Sequence, residues 1–176
     1  MNIFYLDEDP KTCAQYHCDK HVCKMIIEYA QLLSTAHRVI DGKHVKVLSN
    51  SGKRMVSNWV LEDSRDVLYK VAHVSHPSNI WVRQSGHNYS YLWQLWHYLC
   101  LEYTERYGKN HATWKKLRAY LSHIPQMIED VPFVEPPQCM PEECKRDDAI
   151  TAYRSFYRAH KREFATWKTQ VPEWFN

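Results

Sequence analysis

The sequence predicts a mainly α-helical single domain of about six helices, with at most a minor β-hairpin or N-terminal strand. Three observations carry that expectation. Apolar residues recur at helical spacing through several long stretches. Capping residues stand where those stretches begin, and Gly stands where two of them end. One pair of short runs, and no more, suits a hairpin.

Each element can be justified in order. Residues 2–6, Asn-Ile-Phe-Tyr-Leu, suit a short strand or an extended segment packed on a core. Asp9-Pro10 is a helix start, with Asp as N-cap and Pro at the first helical position. From there a helix runs to about Ile40, either unbroken or interrupted near Cys18-Asp19 with Asp19 capping its second part. Asp41-Gly42 stops it. Residues 44–48 and 55–60 fit a hairpin around Asn50-Ser51-Gly52. A short helix is expected over 62–72. Pro77 forces His76 out of the helical region and starts a helix carrying Trp81, Val82 and Arg83, capped through Ser78 or Asn79. A strong helix follows over 88–107, with Glu102 and Arg106 as an i,i+4 pair and Gly108 as its stop. Asn110 caps a shorter helix to about Ser122. Residues 125–147 contain five of the eight Pro and read as an ordered, extended surface loop. Asp147-Asp148 caps a last helix over 148–168, and the tail folds back through Trp174 and Phe175.

At 176 residues the chain is most simply one domain, 1–176, able to bury a real core. Its 12 Tyr, 7 Trp and 5 Phe leave aromatic side chains to spare for a binding surface. The formal charge of +3 is compatible with a polyanionic partner. No apolar run is long enough to span a bilayer, and the N-terminus turns acidic too early for a signal peptide. Six Cys without a secretory signal read as reduced thiols of a cytosolic protein.

The chemistry is concentrated between His17 and Arg38. On one helix, Val22, Met25, Ile26, Tyr29, Leu32, Leu33, Ala36 and Ile40 make an apolar stripe. His17, His21, Lys24, Glu28, Gln31 and Thr35 make the opposite row, flanked by Lys20 and Arg38. Two His, a Gln and a Thr among the charges suit proton transfer or anion binding better than a merely solvated face. The competing reading is an ordinary amphipathic surface helix. Within the row, the Lys24 amine is a candidate nucleophile, Glu28 a proton relay, and His17 and His21 tuning or phosphate-binding groups. His76, on its Pro-fixed corner, joins them. His17-x3-His21 is also a legitimate metal pair that His76, Glu28, Asp19 or Cys18 would have to complete. The Cys spacings do not help, since Cys13, Cys18 and Cys23 stand about 140° apart on a helix. Arg154, Arg158, Lys161 and Lys168 form a basic row on the last helix with Trp167 near its end, a pattern of cations and a stacking aromatic that suits nucleic acid. Lys20, Asn79 and Arg83 are the further candidates for backbone contacts. No Walker loop, dinucleotide Gly fingerprint, GxSxG or HExxH is present, which removes most nucleotide-dependent enzymes and the common hydrolases.

Three blocks, YHCDKHVCKM, SHPSNIW and KREFATWKTQVPEWF, resemble a family of small proteins of tailed bacteriophages. Lys24 and Glu28 on the first helix, His76-Pro77 and Glu105-Arg106-Tyr107-Gly108 are similar to features of the pyrimidine-dimer DNA glycosylases of the endonuclease V type. That resemblance implies a small helical enzyme acting on a damaged or modified base in double-stranded DNA, without metal or other cofactor. Those enzymes attack with the amine of an N-terminal Thr, whereas this chain begins Met1-Asn2. A side-chain amine such as Lys24 would have to replace it, with Glu28 as acid/base. Two other functions remain in view, a non-enzymatic phage protein that binds DNA or a host protein, and a metal-dependent hydrolase built on His17, His21 and His76.

Overall fold

The structure is a computed structural model and describes residues 1–49 and 51–176. Helices dominate it. Among the described residues they are α1 (Pro10–Tyr16), α2 (Asp19–Asp41), α3 (Pro77–Gln84), α4 (Gly86–Tyr107), α5 (Ala112–Leu121) and α6 (Ala149–His160). Strands β1 (Lys43–Leu48) and β2 (Met55–Val60) pair antiparallel, with Lys43 opposite Val60 and Leu48 opposite Met55. The expected hairpin is therefore present, and Asn50 of its turn lies outside the described residues. The N-terminal segment forms no strand among the described residues. It runs extended, with Ile3, Phe4, Tyr5 and Leu6 all buried against the helices.

The core gathers around α2 and α4. Val22, Met25, Ile26, Tyr29, Leu32, Leu33 and Ala36 of α2 are buried, as the stripe predicts. They meet Tyr89, Leu92, Leu95, Trp96 and Leu99 of α4, and the Trp96 indole donates to the Ile26 carbonyl at 2.9 Å. Asp9 caps α1 by accepting from Thr12 N at 2.8 Å. Gly108 ends α4 in the left-handed region at φ 67°, where a Cβ would be strained.

Several boundaries differ from the sequence reading, each for a tertiary reason. The first helix breaks at His17-Cys18, both in extended conformation. In an unbroken helix Gln15 and His17 carbonyls would accept from Asp19 and His21 amides. Here Arg106 of α4 takes both carbonyls, at 2.9 and 2.8 Å, and the Asp19 amide turns to the Thr166 carbonyl at 2.8 Å. Cys18, not Asp19, is the N-cap residue of α2.

The helix expected over 62–72 reduces to a 3-10 turn, Ser64–Val67. Buried Arg38 claims the carbonyls of Asp66, Leu68 and Tyr69, each at 2.8 Å, which holds that stretch open. His76 itself caps α3, its Nδ1 accepting from Ser78 N at 3.2 Å, and His111 rather than Asn110 caps α5 in the same way. Asn79 instead donates to the Ala72 carbonyl at 2.7 Å. α6 stops at His160, because the residues after it turn back toward the α1–α2 junction, where Asp19 accepts from Lys168 N at 3.1 Å. The Pro-rich stretch is extended as expected and is pinned through Val134, whose carbonyl accepts from the Trp81 indole at 2.8 Å.

Candidate functional site

The polar row expected along α2 does not survive as one face. The break rotates His17 away, and His17, His21 and Thr35 are buried while Lys24 is exposed. His17 has no free nitrogen. Its Nδ1 must donate to the Cys13 carbonyl at 2.8 Å, so Nε2 accepts from the Tyr29 hydroxyl at 2.9 Å. Burial pushes this imidazole down to about 4, against the pull of the Cys13 carbonyl. A neutral, doubly bonded ring of this kind is a structural pin and contacts no phosphate. Thr35 accepts from Ala72 N at 3.3 Å and is likewise occupied.

His21 lies just beneath the surface. It stacks on Phe4 with ring centroids 4.4 Å apart, its Nδ1 is 2.5 Å from the Tyr157 hydroxyl, and Phe164 packs edge-on against it. Burial pushes it down to about 2, helped by His17 and then by Lys161, Lys24 and Lys20. Those three ammonium groups lie close enough to act on the His21 ring. Lys20 Nζ sits 4.4 Å from the Phe164 ring centroid; Lys161 Nζ is 6.0 Å from the same ring and 4.3 Å from Phe156. Burial first, and Lys24 next, hold the Lys161 amine below the ordinary lysine range.

One turn beyond, Lys24 pairs with Glu28 at 3.3 Å, with side chains 62% and 19% exposed. The Glu28 carboxylate in turn acts on His76, whose pKa is lowered mainly by burial, with the Met1 ammonium and His73 adding to it and Glu28 opposing. The structure thus brings Lys20, His21, Lys24, Glu28, Lys161 and His76 onto one flank of α2. Phe164 is the member that sequence reasoning missed as a site residue. The helix expected over 148–168 would contain it, whereas α6 ends four residues before it.

The remaining expected nucleic-acid contacts are turned inward or tied down. Arg154 donates to the Leu6 carbonyl at 2.9 Å, pairs with Asp7 at 3.1 Å, and lies over the Tyr16 and Trp174 rings. Arg158 donates to the Trp174 carbonyl at 2.8 Å. Lys168 lies off the helix, over the Tyr107 ring, so the four-residue basic row does not form. Trp167, half-buried, donates to the Tyr16 carbonyl at 3.1 Å and packs at an angle on Phe175. Arg83 donates to the Val74 carbonyl at 2.9 Å, and burial lowers its pKa. Among the described residues His17, His21 and His76 do not gather as a metal-binding group.

No family model matches the chain, and no curated protein or solved structure matches it either.

Proposed function

We propose that the protein acts on DNA, with glycosylase/lyase-like chemistry at a damaged or modified base. The observation that supports this reading is the Lys24–Glu28 pair, held at 3.3 Å on a flank that also presents Lys20 and Lys161. In this reading Lys20 and Lys161 hold backbone phosphates, and the lesioned nucleotide leaves the stack at a cost of a few kcal/mol. Glu28 takes a proton from the Lys24 ammonium. The freed amine attacks C1′, and the C1′–base bond breaks with its electron pair going to the base. The proton held by Glu28 passes to the departing base. The sugar ring then opens, O4′ taking a proton from the attached nitrogen, to give a protonated imine; Glu28, again a carboxylate, accepts the C2′ proton and the 3′ phosphate leaves by β-elimination. His21 and His76 border the amine and the carboxylate rather than react.

Borohydride trapping tests this. Labelled duplexes carrying a UV dimer, uracil, hydroxymethyluracil or an abasic site are incubated with the protein, with Lys24→Ala and Lys161→Ala in parallel. A covalent band lost only in Lys24→Ala is the expected result. A band lost only in Lys161→Ala would move the nucleophile across the strip. No band and no strand cleavage on any substrate would sink the lyase reading. The openness of the strip, with the Lys24 side chain 62% exposed, favours as second reading a DNA-binding protein without turnover. In that case the same variants weaken binding and nothing else.

A further inference from the structure

At the last residue of α6, one turn beyond Phe156, a second set of reactive side chains comes together. The 3-10 turn Glu142–Cys144, at the end of the Pro-rich stretch, packs against α6. It brings the Glu143 carboxylate, the Cys144 thiol and the His160 imidazole together, one donor atom of each lying within 4.8 Å of the others. His160 Nε2 is 3.3 Å from Glu143 Oε1. Cys144 is 1% exposed, whereas the side chains of His160 and Glu143 are 40% and 64% exposed. The group therefore has a buried sulfur floor and an open mouth.

The turn is built to hold that arrangement. Cys144 N donates to the Pro141 carbonyl and Lys145 N to the Glu142 carbonyl, both at 3.0 Å. Arg146 ties down the Glu143 carbonyl at 2.9 Å, and Lys145 pairs with Glu142, which leaves Glu143 as the carboxylate directed at His160. An exposed Glu–His pair contributes little to stability by itself. Thiolate, imidazole and carboxylate in one place are the ligand types of zinc, and the first two exclude magnesium and calcium as the preferred ion. Donors on a tetrahedral zinc stand roughly 3.3–3.8 Å apart; His160 and Glu143 already meet that spacing at 3.3 Å, and no pair exceeds 4.8 Å. His160 is also the last residue of α6, where the helix dipole favours a cation.

We infer that Glu143, Cys144 and His160 form a zinc site with three protein ligands and a fourth position open to water or a ligand. Binding exchanges the Cys144 thiol proton for the ion, so one proton per zinc is released at this residue. The ion would clip the end of the Pro-rich stretch to the end of α6. The site is independent of the DNA reading above.

The test is calorimetric titration of untagged, fully reduced protein with zinc, together with cobalt(II) substitution. One zinc per chain is expected, with a thiolate-to-cobalt charge-transfer band and tetrahedral visible bands. His160→Ala, at an exposed position, should weaken zinc by at least about 100-fold, and Cys144→Ser by as much while abolishing the charge-transfer band. Glu143→Gln should cost at least about 10-fold. Cys139→Ser, in the same stretch but outside the group, should leave affinity unchanged. Stoichiometric binding that His160→Ala does not weaken, a cobalt spectrum without the thiolate band, or no zinc bound at all would each overturn the inference.

Discussion

Arg106 donates to the His17 carbonyl at 2.8 Å across 89 residues of sequence, and with the other arm of its fork it takes the Gln15 carbonyl at 2.9 Å. One buried guanidinium thus replaces two hydrogen bonds of an unbroken helix and is neutralised by Asp19 and Glu102 at 3.1 and 2.9 Å. Arg106→Ala would take the cation from two carboxylates and the donor from two carbonyls. The expected loss is about 3–5 kcal/mol, read as a fall in the urea midpoint. Arg106→Lys should recover only a small part, because a single ammonium cannot fork. An unchanged midpoint in either variant would contradict this account of the break.

Arg38 does for residues 59–69 what Arg106 does for the α1–α2 junction. Its buried side chain donates to the Trp59, Asp66, Leu68 and Tyr69 carbonyls and pairs with Asp66 at 2.8 Å. Arg38→Gln should cost on the order of 3 kcal/mol, since buried carbonyls lose their donors. It should also open new sites for limited proteolysis within 59–72, while the α2–α4 core remains protected. Cleavage distributed evenly along the chain would count against a local role.

Acid sensitivity follows from His17 and His37. Burial pushes both down to about 4 from 6.5. His37 is held between Tyr89, 2.9 Å away, and Arg65, with Asp41 opposing the shift. Between these values the unfolded chain takes up protons that the folded chain refuses, so stability is complete above about pH 6.5 and falls as the pH drops toward 4. Each ring accounts for on the order of 3 kcal/mol over that window. Urea midpoints measured from about pH 7.5 down to 4.5 should decline steadily; a flat profile would show that the rings are solvated in solution.

Salt dependence separates the basic residues. If Lys20 and Lys161 face DNA phosphates, replacing each by Ala should reduce the slope of log affinity against log salt by about 0.9. Arg154→Ala and Arg158→Ala should leave the slope alone and lower thermal stability instead, because both guanidinium groups hold carbonyls of the folded chain. The reverse pattern would place DNA on the α6 face.

The contrast between local and distant causes explains what the sequence reveals. Asp9 as a cap, Gly108 as a stop, the α2 stripe and the hairpin are local choices, and periodicity or turn chemistry displays them. The break at His17, the missing helix over 62–72 and the early end of α6 are decided by Arg106, Arg38 and Asp19. Nothing in the neighbouring residues announces those partners. The site was legible in proportion. Lys20, Lys24 and Glu28 share a face because four-residue spacing within α2 puts them there. His17 left that face with the break, and His21 was drawn inward by Phe4 and Tyr157, from opposite ends of the chain. Arg154 looks like a ligand-facing cation until its acceptor, the Leu6 carbonyl, is found 148 residues away.

Cys13 sits under the N-terminal segment, donating to the Phe4 carbonyl at 3.2 Å and accepting from Leu6 N at 3.3 Å. Burial pushes its thiol up to about 11, so it is both protonated and shielded. An alkylating reagent can reach it only after Phe4 and Leu6 have lifted away. Its labelling rate, set against that of half-buried Cys23, is therefore a built-in gauge of how often the molecule sheds its first six residues.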